Sequence, residues 1–137
     1  MQELTNYGNR LACYLIIENA GKTLLLLREN TGFEDGNYSF ISGKVEAGES
    51  LSQSVIREAA EEADILVSKE DINLVHMLHR RTENQQSNWM DFFFRTEKWE
   101  GEIQNKEPDK CGGLHWYNIN SLPENMVPLY QNDLNTY

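Results

Sequence analysis

The chain has 137 residues, 39% hydrophobic and 25% charged, the proportions of one globular domain built round a single core. Twelve Lys and Arg stand against 22 Asp and Glu, a net charge of −10, which excludes a broad basic face for duplex nucleic acid or for an anionic membrane. That charge still allows a small phosphorylated ligand, provided that cations stand between protein and phosphate.

The longest apolar runs, Leu11–Ile17 and Leu24–Leu27, fall far short of the roughly 20 residues of a membrane-spanning helix. Met1–Arg10 is polar, unlike a secretory leader. Cys13 and Cys111 are too few for a disulfide framework and are expected as free thiols of a cytoplasmic protein. No repeat or linker divides residues 1–137, which are expected as a single domain.

In chain order, Leu11–Glu18 is apolar and β-branched enough for a strand, Asn19-Ala20-Gly21-Lys22 has turn chemistry, and Thr23–Arg28 is the returning strand. Glu29–Asn37 is predicted as a loop, Tyr38–Ile41 as a short strand, and Ser42–Glu49 as a loop punctuated by Gly43 and Gly48. Ser50–Ala63 is predicted as a helix, because Leu51, Val55, Ala59 and Ala60 recur at helical spacing and Ser50 or Ser52 can cap its start. Ile65–Val67, Leu74–Arg81, Trp89–Lys98 and Leu114–Asn118 read as strands. Pro123 and Pro128 bracket the entry to a C-terminal helix near Val127–Leu134. Strands before, between and after helices predict an α/β or α+β fold, a mixed sheet flanked by helices.

The informative segment is Gly43–Glu49 followed by Arg57-Glu58-Ala59-Ala60-Glu61-Glu62-Ala63-Asp64-Ile65. On a helix, Glu61 lies about −60° and Glu62 about +40° from Glu58, so the carboxylates share an arc of about 100°. The clustering is unfavourable: Glu58 and Glu62 are an i,i+4 like-charge pair, and the acids sit in the helix's C-terminal half, where its dipole disfavours them. Two readings are open, a solvated acidic face and a cation site. Hard divalent cations, Mg2+ above all and Mn2+ as a substitute, take oxygen ligands of this kind, and commonly combine one or two protein carboxylates with substrate phosphate.

Gly43, Glu49, Arg57, Glu58, Glu61, Glu62 and Ile65 stand at the spacing of the signature box of Nudix hydrolases, which the segment 43–65 resembles throughout. Asp64 takes the place of the final Gly, at a helix end where a positive φ is expected. Ser42 replaces the first residue of a common Gly pair, and Ala59 is a small version of an apolar position. Trp99-Glu100-Gly101-Glu102, Lys106-Glu107 and Leu122-Pro123-Glu124-Asn125 are similar to stretches of the MutT-like branch, and Arg28 matches a phosphate-contacting arginine there. The resemblance covers roughly residues 10–130 and implies the Nudix α/β/α sandwich with a mixed central sheet.

It also implies an activity: Mg2+-dependent pyrophosphohydrolysis of a nucleoside triphosphate or another nucleoside diphosphate derivative, by attack of an activated water on phosphorus. Glu58 and Glu62 are implied metal ligands, joined by Gly43. Glu61 ligates a second metal or serves as general base, with Glu58 and Glu107 as rivals for the base. Arg57 is expected to fork to Glu49 and to a helix carboxylate, a supporting role for both. Arg28 and Lys44 are candidates for phosphate, although Lys44 reads equally as an exposed loop lysine. Asn125 is a candidate for a purine edge or a helix N-cap, and Phe40 for the base pocket or the core. Trp89, Phe92, Phe93 and Phe94 read as core and sheet-face residues.

His76 and His79 are three apart in a predicted strand and face opposite ways, which argues against zinc. Cys111 has no base placed by spacing to activate it. The expected partner is a small nucleotide. Rival readings are hydrolysis of ADP-ribose or a dinucleoside polyphosphate, and a non-catalytic nucleotide sensor on the same fold.

Overall fold

A computed structural model of the chain describes residues 9–82 and 87–127. Its strands are β1 (Asn9–Asn19), β2 (Lys22–Arg28), β3 (Tyr38–Ser39), β4 (Ile41–Lys44), β5 (Asn73–Thr82), β6 (Ser87–Thr96) and β7 (Cys111–Asn118). Helix α1 (Leu51–Ala63) follows β4, and a single 3₁₀ turn spans Lys69–Asp71. The strands join in one mixed sheet of order β3-β2-β1-β6-β5, with β4 paired to β1 and β7 to β2. The fold is α+β.

β1 organises the sheet. It runs parallel to β6 from Asn9↔Asn88 to Ile17↔Thr96, antiparallel to β4, and turns into β2 through Ala20 and Gly21 at φ 52° and 80°. Those left-handed angles are what a tight hairpin requires. Alternation along β1 sends Cys13, Leu15 and Ile17 into one buried cluster with Val55, Ala59 and Ala63 of α1. Ala12 and Tyr14 pack with Phe40, Phe93, Met126 and Val127 in the other.

Helix α1 starts with a full capping box: Ser50 accepts from the Gln53 N–H, and the Gln53 side chain accepts from the Ser50 N–H. It ends at Asp64, left-handed at φ 60° and ψ 35°. The returning loop then satisfies the last carbonyls, Gln104 N–H donating to Ala63 O and Lys106 N–H to Glu62 O.

Three segments differ from the sequence reading. Ile41–Lys44 is a strand, because Ser42 and Gly43 pair with Tyr14 and Cys13, whereas composition alone reads Ser42 onward as loop. Ile65–Val67 is reduced to one bridge between Leu66 and Glu100; Ile65 and Val67 are buried, but no strand lies alongside. β7 begins at Cys111, three residues early, by pairing with Arg28 of β2. The helix expected near Val127–Leu134 lies, beyond Val127, outside the described residues. Among the described residues no helix is long and apolar enough to cross a membrane.

Asp91 on β6 is fully buried. Arg80 donates to it from Nε at 2.7 Å and Nη2 at 3.0 Å, and the Tyr14 hydroxyl donates at 3.2 Å. Burial and the Asp91 charge hold the Tyr14 hydroxyl above the ordinary phenol range. Asp91→Ala would strand the partly buried Arg80 guanidinium, and is expected to cost about 3 kcal/mol of stability in urea unfolding.

Candidate active site

The box helix places its acids differently from one another. The Glu58 and Glu62 carboxylates, one turn apart, meet in a side-chain hydrogen bond. Glu58 is 12% exposed at its side chain, and Glu62 Oε2 accepts from the Ser42 N–H at 3.2 Å. Burial, then the facing Glu58 and the charge of Glu107, hold Glu62 well above the usual carboxylate range. Burial also raises Glu58, against the opposing pull of Arg57. Two negative charges held this close repel, and both carboxyls move in the same direction, with burial the largest cause.

Glu61 is turned away. Its side chain is 50% exposed and accepts from Arg57 Nη1 at 3.1 Å. Helical geometry explains the split: Arg57 lies about 100° round from Glu58, on the Glu61 side. Arg57 uses five hydrogen bonds. Nε and Nη2 fork to Glu49 at 2.6 and 3.0 Å, Nη1 reaches Glu58 at 2.7 Å as well as Glu61, and Nη2 also reaches the Lys44 carbonyl at 3.1 Å. Glu49 is pulled down to about 2, first by its bond from Arg57 and then by the Glu46 N–H.

Gly43 completes the acid wall. A Cβ there would meet Glu58 Oε1 at 2.0 Å, so any larger residue must push the Glu58 side chain out of its present position. Glu58, Glu62 and Gly43 line a cleft of about 350 Å³ together with Glu107. Glu107 arrives on the loop that caps α1, and its N–H donates to Asn105 Oδ1 at 3.1 Å. The same cleft is lined by Arg28, Lys44 and Lys110, with Thr31 and Cys111 beside them. Sequence reasoning missed Lys110, for which the only local signal is its place three residues after Glu107. The Cys111 thiol is raised by burial, which makes it a poor nucleophile.

Three catalytic, metal or substrate candidates do not line this cleft: Glu61, turned to Arg57, and Phe40 and Asn125. Phe40 is 3% exposed and packs edge-on to Phe93 in the core. Asn125 donates from Nδ2 to the Gly36 carbonyl at 2.9 Å and pins that loop. His76 is buried and His79 exposed. Trp89 is partly buried, with Arg10, Arg80 and Lys44 at 5.5, 5.0 and 5.8 Å from its ring.

A divalent cation fits the donor set. The Glu58 and Glu62 carboxyls, partly buried and in contact, present oxygens to one cleft. Among the described residues no three acidic, imidazole or thiol side chains enclose a cation by themselves. Two carboxylates completed by water and substrate oxygens are what Mg2+ commonly takes.

Glu62→Gln is expected to make the cation-free protein more stable, because it removes a buried carboxyl whose ionisation folding opposes. The sign follows from the raised Glu62: its penalty is absent in acid and grows as pH rises above the ordinary carboxylate range, so the gain should widen with pH. Melting curves in chelator at several pH values measure it. The parent is expected to gain about 2.7 kcal/mol of stability from Mg2+ or Mn2+ at a hundred times the dissociation constant, and Gly43→Ala, by displacing Glu58, is expected to lose that gain.

A family profile described as NUDIX domain matches residues 8–134. The uncharacterized Nudix hydrolase YvcI of Bacillus subtilis (strain 168) is 30% identical over 108 residues, 78% of this chain and 65% of that protein. The NAD-capped RNA hydrolase NudC of Erwinia tasmaniensis is 31% identical over 117 residues, 85% of this chain and 42% of that protein. The chain spans between about a third and two thirds of the length of the curated relatives that it matches. The crystal structure of MutT NUDIX hydrolase from Burkholderia pseudomallei shares the fold with a TM-score of 0.82 at 24% identity, over 93% of this chain and 96% of that one. With its box residues gathered on α1 and β4 and the profile matched over nearly its whole length, the chain belongs to the Nudix hydrolase family.

Proposed function

We propose that this protein is a divalent-metal-dependent pyrophosphohydrolase that cleaves a phosphoanhydride of a nucleoside triphosphate or a related nucleoside diphosphate derivative. From a triphosphate the products are a nucleoside monophosphate and pyrophosphate. The observation that carries this reading is the contact between the Glu58 and Glu62 carboxylates over Gly43, in a cleft that Arg28, Lys44 and Lys110 also line.

In this reading Glu58 and Glu62 hold Mg2+ or Mn2+, with Gly43 and Glu107 beside them. The bound ion neutralises phosphate charge and lowers the pKa of a water molecule. Arg57, itself held by its fork to Glu49, fixes Glu58 through Nη1. Arg28 and Lys44 take phosphate oxygens. Glu61 is the proposed base for the attacking water, which requires its exposed side chain to swing from Arg57 to the cleft, and Glu107, which already lines the cleft, is its rival. The relatives named NAD-capped RNA hydrolases favour a second reading, cleavage of a diphosphate bridging two nucleosides.

A panel of nucleoside triphosphates, ADP-ribose, NAD and dinucleoside polyphosphates, run with Mg2+ and with Mn2+ and with products identified, tests the proposal. Pyrophosphate release from a triphosphate supports it. Turnover of the bridged substrates alone selects the second reading, and no turnover of any with either metal refutes both. Glu61→Gln is expected to lower turnover by about 10²–10⁴-fold with the fold intact. Unchanged turnover would move the base to Glu107.

A further inference from the structure

The cation-lined wall of the cleft is built rather than incidental. Arg28 is held there through its side chain, and exposed Lys110 through the backbone of its turn. Arg28 Nε donates to the Phe33 carbonyl at 2.8 Å and Nη2 to Thr31 Oγ1 at 3.1 Å, while its guanidinium lies 5.3 Å from the Phe33 ring. Two of its five donors are thus spent on its own loop, and three remain. That loop is tightened by Asp35, which accepts from the Thr31 hydroxyl at 2.6 Å and from the Thr31 and Gly32 N–H groups.

Lys110 closes a turn in which its N–H and that of Cys111 both donate to the Glu107 carbonyl, at 2.9 and 2.8 Å. Asn30 Nδ2 donates to the Asp109 carbonyl at 3.0 Å, and the Glu29 N–H to the Lys110 carbonyl at 2.9 Å. Residue 29 follows Arg28 directly, so this bond holds the backbones that carry the two cations in register. Among the described residues neither forms an ion pair with a carboxylate, in a chain where acids outnumber bases 22 to 12. Lys44 lines the cleft too, but its ammonium rests over Trp89.

We infer that Arg28 and Lys110 form a subsite for an unesterified terminal phosphate, and that Lys110 thereby selects polyphosphate chains with a free end over diphosphates esterified at both ends. The inference rests on the proposed phosphoanhydride chemistry of the same cleft and narrows its substrate class. A terminal phosphate carries close to two charges at neutral pH and three acceptor oxygens. A diester phosphate carries one charge and two free oxygens. A rigid guanidinium with spare donors in the same cleft as a lysine, neither in an ion pair among the described residues, answers the first better than the second. The turn that presents Lys110 also presents Glu107, so acid wall and cation wall are joined by one short segment.

Titration calorimetry with inorganic tripolyphosphate and with ADP-ribose, each in the presence of Ca2+, tests this without turnover. Lys110→Met is expected to weaken tripolyphosphate binding by about ten- to a hundredfold and leave ADP-ribose binding within about twofold. Lys110→Arg should restore the tripolyphosphate affinity. The turn is held through backbone groups, so the variant keeps its fold; matched melting curves check this, with Lys110→Gln as a second neutral variant. Equal affinities of parent and Lys110→Met for tripolyphosphate, or equal loss for both ligands, overturns the subsite. Turnover separates the two ideas: a parent that hydrolyses phosphoanhydrides while Lys110→Met binds both ligands normally loses this inference and keeps the proposed function. A parent that binds tripolyphosphate through Lys110 but hydrolyses nothing keeps the subsite and loses the function.

Discussion

Two carboxylates pressed together are the constraint on which the rest of the cleft depends. Glu58 and Glu62 lie one turn apart near the C-terminal end of α1, where the helix dipole and their mutual repulsion both oppose ionisation. The fold holds them there anyway. Arg57 grips Glu58 from the side, the Ser42 N–H grips Glu62 from β4, and glycine at position 43 removes the one atom that would collide with Glu58. An arrangement that lowers the stability of the empty protein has a physical reason to exist when a cation is bound between the acids.

The sheet supplies the rigidity this needs. β1 pairs with β4 and packs against α1 through Cys13, Leu15 and Ile17, so the strand and helix that carry the acids share one core. The distal part of the cleft comes from a different device. The segment after β6 returns over the end of α1, gives N–H groups to Ala63 and Glu62, and so delivers Glu107 and Lys110. Helix capping and site assembly are the same set of bonds. Across the cleft from the acids, Arg28 is locked by its own loop. A strongly anionic chain thereby keeps a small cleft that Arg28, Lys44 and Lys110 share with Glu58, Glu62 and Glu107, and the metal-bridged phosphoanhydride proposed above would suit both kinds of group.

Arg57 shows how local and distant order combine. Its spacing from Glu49 and from the helix acids is written in the chain, and the bidentate fork follows from it. The same geometry assigns Glu61 to Arg57 and leaves Glu58 and Glu62 to each other. Three acids that look equivalent on a helical wheel become a contact pair and an exposed partner.

The chain alone determined what is local. Apolar spacing and a serine start mark α1, alternation marks β1 and β2, the turn residues join them, and the glutamate spacing identifies the family. Asp64 at a left-handed φ is legible in the same way, since the box places it where a helix must stop. Tertiary structure alone decided which residues share the cleft. Ser42 and Gly43 became a strand only because β1 lay alongside, and Ile65–Val67 kept a single bridge because no strand did. Phe40 went to the core and Asn125 to a loop carbonyl, whereas Lys110 entered the cleft unannounced. Helical phase and strand alternation are set by neighbours a few residues away. Membership of a cleft is set by sheet register and loop closure across tens of residues, which no short window of sequence encodes.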